Sequence, residues 1–150
     1  MTISPAGIAR IKRYEACSLV IYDDQAGLPT IGWGHLIKKG EDFGAGITQQ
    51  HADELLVSDL QPVLDGVDAC LEVEVTQDQY DSICSFAFNC GVGALRMSSF
   101  LRAINSKASN ESIRAKLALW NKITVRGQKI RSEGLAKRRA DEGKSWRSAD

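Results

Sequence analysis

The stretch from Thr76 to Gly93 limits the fold more than any other part of the chain. Tyr80, Ile83, Cys84, Ala87 and Phe88 recur at helical spacing behind Thr76, a residue suited to capping a helix N-terminus. Phe86 fills much of the opposite face, so the helix is expected to be buried on most sides. It must be wrapped by other elements, and Gly91 and Gly93 end it. A chain of 150 residues, 43% hydrophobic, is one ordinary domain with enough material for such a core. No apolar run approaches the roughly 18 residues of a membrane-spanning helix. The opening Met1-Thr2-Ile3-Ser4-Pro5 lacks the basic-then-apolar layout of a secretory signal or signal-anchor, so a soluble, cytosolic chain is expected.

Net charge is zero but divided. Residues 1–75 hold 5 Lys/Arg against 12 Asp/Glu, and residues 76–150 hold 14 against 7. A basic C-terminal half attracts anionic polymers: nucleic acid, lipid headgroups or cell-wall glycan with its anionic companions. A solvated basic surface with no partner explains the same imbalance. The cysteines Cys17, Cys70, Cys84 and Cys90 include no CxxC pair, which argues against a zinc ribbon or a thioredoxin-type site. They are expected to be reduced in the cytosol, with Cys84 and Cys90 serving as small core residues.

Helix signals open the chain, with Ser4 as a cap, Pro5 in the first turn and Ile8, Ile11 and Tyr14 at helical spacing. Leu19 to Tyr22 reads as a strand, Asp23 to Pro29 as a turn region and Thr30 to Trp33 as a return strand, before a glycine-rich stretch to Gly46. A second helix follows Thr48, and Pro62 is expected to kink or divide it. After the buried helix come shorter ones beginning near Ser98 or Ser99, at Asn110, and around Ser132 to Glu142. The reading is an α+β fold: a first helix and small β-hairpin lobe over about 1–46, and a larger helical lobe over about 47–150.

Polar groups gather at the first hairpin in a way no core requires. Centring the turn on Gly27 sets Asp24 opposite Thr30 and Tyr22 opposite Gly32. Directly opposed Cβ atoms lie about 4.5–5.5 Å apart, close enough for a carboxylate and a hydroxyl to share one water. Glu15, at the end of the incoming helix, would flank that water. Two carboxyl groups beside a groove are the equipment of glycosidic cleavage: one donates a proton to the leaving oxygen, the other activates water or stabilises a cationic sugar. Glu15 precedes the apolar run Leu19 to Ile21, which would keep water from it, whereas Asp24 sits among solvated turn residues. Two acids near a turn are equally the mark of an ordinary solvated loop.

The run Glu15-x8-Asp24-x5-Thr30, continuing Ile31-Gly32-Trp33-Gly34-His35, resembles the active-site signature of the phage-type lysozymes, glycoside hydrolase family 24. Ile47 to Leu60, Phe86 to Gly93 and Gly134 to Arg139 are similar to later elements of that family, in the same order, over nearly the whole chain. The resemblance implies a lysozyme-like fold in a single catalytic domain, 1–150, with the active-site cleft between the lobes. It implies a peptidoglycan-degrading endolysin that hydrolyses the β-1,4 bond between N-acetylmuramic acid and N-acetylglucosamine. Glu15 would be the general acid, and Asp24 and Thr30 would position the water, an arrangement associated with inversion. His35 would be structural, tying the hairpin lobe together. Leu36 and Phe88 match positions that line the glycan cleft, though both would serve equally as core. Trp33 offers either a stacking face or packing, Trp120 and Trp146 pack in the helical lobe, and one of Arg138 and Arg139 is expected to be buried against an acid. Ala16 departs from the glycine common after the acid.

The resemblance also implies a monomer without metal or cofactor, held in the host cytoplasm until a holin opens the inner membrane, then acting at the periplasm and cell wall. A lytic transglycosylase would share the substrate but leave anhydro ends. A non-catalytic wall- or membrane-binding module would act through the basic C-terminal helices, with Arg126 to Arg139 as the membrane-contacting segment. No nucleic-acid motif is present, so a nucleic-acid partner is not expected.

Overall fold

The computed structural model describes residues 1–147, which fall into two compact units: Ile8–Pro62, and Met1–Gly7 with the chain from Val63 onward. Helix α1 (Pro5–Tyr14) and helix α2 (Gln49–Cys70) each contribute to both.

In the unit of residues 8–62, β1 (Ser18–Asp23), β2 (Pro29–Gly32) and β3 (His35–Leu36) form an antiparallel sheet in the order β1-β2-β3. Ile11, Ile31, Ala52, Leu56 and Leu60 are its buried apolar residues, the last three following the helical stripe of α2. Pro62 neither divides nor ends α2, which runs through it for 22 residues. The ring is exposed, so the helix forgoes one backbone donor at its wet side and keeps its apolar stripe.

The other unit is built round α3 (Gln77–Cys90), buried without a break from Tyr80 to Ala87. Thr76 caps it with a reciprocal capping box to Gln79, and Gly91 closes it at φ +96°. Short helices cover it: α4 (Val92–Met97), α5 (Ser99–Asn105) and α6 (Asn110–Ala118), with Ser98 and Ser109 capping the last two. Helix α4 was not legible in the sequence, because Gly91 and Gly93 read as a terminus. Phe86 meets Phe100 at 5.2 Å and the edge of Trp120 at 5.3 Å, while Trp146 meets Phe100 at 5.5 Å. Both tryptophans thus pack where the helical lobe was expected to hold them. Ser4 caps α1 at the Gly7 N–H, and both its backbone and its hydroxyl donate to the buried Asp81 carboxylate.

The segment before the last helix departs from expectation. Lys122–Val125 (β4) and Gln128–Arg131 (β5) form a two-stranded antiparallel hairpin, so only the second part of 126–139 is helical, in α7 (Glu133–Gly143). Arg126 and Gly127 both have positive φ, +49° and +77°, the signature of a type I′ turn. Ile123 pairs with Ile130, leaving an alternation that the surrounding Lys and Arg residues disguise. Ser132 caps α7.

Arg138 and Arg139 are both buried, where one was expected, and both turn to the fully buried Glu142. Ser85 Oγ and Arg139 Nη2 donate to Glu142 Oε1 at 2.8 and 3.0 Å. Arg139 Nε lies 2.9 Å from Oε2 as an ion pair, but off the line of a hydrogen bond. Burial pushes the Glu142 carboxyl up, and the two guanidiniums pull against it. The four cysteines are free thiols; Cys84 is buried, and its thiol is pushed up to about 12 by that burial. Cys90 is half-buried against Arg139. Among the described residues no helix is long and apolar enough to cross a membrane.

Candidate active site

Glu15 follows directly on α1, with its backbone N–H still bonded to the Ile11 carbonyl at 3.2 Å. Its half-buried side chain reaches the turn between β2 and β3. A Cβ built at Gly34, where φ is +84°, would lie 3.8 Å from Glu15 Oε2. The carboxylate therefore rests beside a backbone that only glycine supplies without strain. Leu19, Val20 and Ile21, expected to keep water from Glu15, are themselves exposed, at 39%, 56% and 47%, because neither face of β1 is covered.

The first hairpin turns one residue earlier than expected, so Tyr22 faces Thr30 and Asp24 faces Leu28. Gly27 is the left-handed closing residue of a three-residue loop, with φ +78°, rather than its centre. Asp24 sets this register: its Oδ1 accepts from the Ala26 and Leu28 N–H groups at 2.8 and 2.9 Å. A one-residue shift of the centre moves the pairing by two, which preserves the face. Asp24 and Thr30 are thus diagonal neighbours, where separations run to about 7–8 Å instead of 4.5–5.5 Å. One carboxylate oxygen holds the turn and Oδ2 is left over for other work. Thr30 is buried and donates its hydroxyl proton to the Leu28 carbonyl at 2.9 Å, so toward any water it offers lone pairs.

His35 is buried and held at both ring nitrogens. Nδ1 lies 2.8 Å from Asp59 Oδ2, and Nε2 lies 3.0 Å from Glu41 Oε1. Burial lowers the imidazole pKa, but the hydrogen bonds and charges of Asp59 and Glu41 outweigh it, leaving it above the ordinary 6.5. The Lys38 backbone N–H, and then His35, hold Glu41 below the usual carboxylate value. Glu41 and Asp59 carried no local signal in the sequence, since the latter is 24 residues from its partner.

Leu36 pairs with Thr30 across β2 and β3 and is 50% exposed, which removes core packing as its role. Phe88 is half-buried near the end of α3, in the other unit. Trp33 is fixed by its indole N–H, which donates to Asp53 Oδ1 at 2.8 Å, and by the Lys12 ammonium 5.3 Å from its ring. Asp53 also pairs with Lys12 at 3.1 Å. Glu15, Asp24, Thr30, His35 and Leu36 therefore share one small unit. It carries a carboxyl at a helix end, a carboxylate at a turn and a hydroxyl on the strand between them.

Known proteins share the fold that carries these residues. Residues 12–142 match the family model described as phage lysozyme. The chain is 37% identical over 153 aligned positions to an endolysin of Acyrthosiphon pisum secondary endosymbiont phage 1, covering 99% of this chain and all of that one. It is 42% identical over 125 positions to the endolysin of Salmonella phage P22, covering 81% of this chain and 85% of that one. An endolysin structure from Escherichia coli O157:H7 phage FAHEc1 superposes with a TM-score of 0.89 at 32% identity, over 97% of this chain and 93% of that one. The lysozyme-like fold is thus shared over nearly the whole chain, and the chain belongs to the phage lysozyme family.

Proposed function

We propose that the protein is a muramidase that hydrolyses the β-1,4 bond between N-acetylmuramic acid and N-acetylglucosamine in peptidoglycan, with Glu15 as general acid. The observation that carries this reading is the placement of the Glu15 carboxylate beside Gly34, where an added Cβ would lie 3.8 Å from Oε2, in the unit that also holds Asp24 and Thr30. A Cβ at position 34 would meet the acid at an ordinary contact distance and fill space that glycine leaves open beside it for a sugar.

In this reading Glu15 protonates the glycosidic oxygen as the bond to the muramic C1 breaks. Asp24 Oδ2 takes a proton from a water that Thr30 orients through its free lone pairs, and that water attacks C1 from the opposite face. Each carboxyl changes protonation once and the sugar inverts. Asp24 also opposes the positive charge developing on the ring. Diagonal placement of Asp24 and Thr30 supports a bridging water better than a direct bond. Leu36 presents an exposed apolar surface beside Thr30 to a sugar face.

The biological role that follows is lysis of the bacterial host for phage release. The enzyme waits in the host cytoplasm, reaches the wall once a holin opens the inner membrane, and works as a monomer. The test is mass spectrometry of fragments released from purified peptidoglycan and reduced with borohydride, with Glu15→Gln alongside. Reduced muramic ends from the wild type alone are the expected result. Anhydro ends would overturn the role of water, and normal digestion by Glu15→Gln would overturn the acid.

A further inference from the structure

Away from these residues, α6, α7 and the end of β5 enclose a cavity of about 340 Å³. Arg114, Arg131, Arg139 and Arg147 line it, and among the described residues no carboxylate does. Two acids of α7 pair with lining arginines, Glu142 with Arg139 and Glu133 with Arg131. Four guanidiniums around so small a space repel one another and raise a positive potential inside it.

Two of the four are fixed in advance. Arg139, 98% buried, is held by Asn89, Cys90 and Glu142, with its Nε 2.9 Å from Glu142 Oε2. Arg114 is pinned by donation from Nη1 to the Trp146 carbonyl. Their ordering is a cost that a ligand would not meet again. Arg131 and Arg147 are exposed, and the Arg131–Glu133 pair is open to water at both ends, a weak contact that an incoming anion can exchange.

We propose that this cavity is a binding site for an oxyanion group, phosphate or carboxylate, on a ligand small enough to enter it. The planar guanidinium fork matches both geometries bidentately, and the volume lies at the small end of ligand pockets. Inside the cavity an oxyanion would be shared between the fixed Arg114 and Arg139 and the movable Arg131 and Arg147. This site is independent of the glycosidic chemistry proposed above.

Calorimetric titration of the full chain with inorganic phosphate tests it, at constant ionic strength made up with chloride. Saturable one-site binding is expected, weakened at least tenfold in the double variant Arg131→Gln/Arg147→Gln. The double variant Lys122→Gln/Lys129→Gln removes two charges from residues outside the lining and should bind as wild type. A parallel titration with a stem dipeptide bearing free carboxylates distinguishes the two sources, the tighter ligand naming the group. Binding no stronger than chloride's, or equal loss in both double variants, overturns the proposal.

Discussion

His35 Nδ1 lies 2.8 Å from Asp59 Oδ2, joining the two-residue strand β3 to the middle of α2, while Glu41 takes the other ring nitrogen. Because the folded pKa of His35 is raised above 6.5, its stabilisation is complete below that value and is lost as pH climbs through the raised one. Glu41 works in reverse: its pKa is lowered from 4.5, so its contribution is complete above 4.5 and lost as pH falls through the lowered value. Thermal midpoints should therefore plateau between about 4.5 and 6.5 and fall on the alkaline side. Asp59→Asn should cost about 1.5–3 kcal/mol on the plateau, the range for a hydrogen bond to a charged group, and less once pH has passed the raised histidine value. A wild-type midpoint unchanged from pH 6 to 9 would show that the fold does not raise the histidine's pKa.

Glu142 lies between two buried guanidiniums. Breaking such a cluster from the acid side leaves uncompensated buried charge, so Glu142→Ala should lose about 3–5 kcal/mol of unfolding free energy in urea. A loss under 1 kcal/mol would mean that water reaches Arg138 and Arg139 and that burial is not what makes the pair costly.

What could be read in advance depended on how local each signal was. The buried helix announced itself through Tyr80 to Phe88 and the Thr76 cap, all within one stretch of chain. Glycine 27 was visible as a turn residue, but its place within the turn depends on Asp24 Oδ1 bonding to Ala26 and Leu28, which spacing does not reveal. The β4–β5 hairpin was hidden because Arg126 holds the first left-handed position, where asparagine or glycine would have marked a turn. Around it, Lys122, Lys129 and Arg131 made the segment look like a basic helix. Asp59 and Glu41 were beyond reach altogether, since only the fold brings them to His35.

That hairpin yields a stabilising change. Arg126 carries a Cβ at φ +49°, a conformation that disfavours most side chains and suits asparagine. Arg126→Asn should raise stability by about 0.5–1 kcal/mol, read as a higher thermal midpoint. A lower midpoint would mean that the Arg126 side chain contributes more than its backbone strain costs.

Gly34 permits the opposite experiment. At φ +84° an added Cβ strains the backbone by about 1–2 kcal/mol and lies 3.8 Å from Glu15 Oε2. Gly34→Ala should lower both thermal stability and turnover of cell walls, whereas Gly40→Ala, at φ +91° with nothing within 4 Å, should lower stability alone. Equal activity in the two variants would detach Gly34 from the acid.

Asp24 joins a structural task to a proposed chemical one, and asparagine separates them. The Asn side-chain oxygen can still accept from the Ala26 and Leu28 N–H groups, so Asp24→Asn should keep the hairpin and unfold within about 0.5 kcal/mol of wild type. What it cannot do is take a proton from water, a contribution of about 10²–10⁴-fold to rate. Cell-wall turnover should fall by that factor while the thermal midpoint holds. Asp24→Ala should lose both, since the turn forfeits two hydrogen bonds as well. If Asp24→Asn digests walls at the wild-type rate, the carboxylate serves the turn alone and the water must be activated elsewhere.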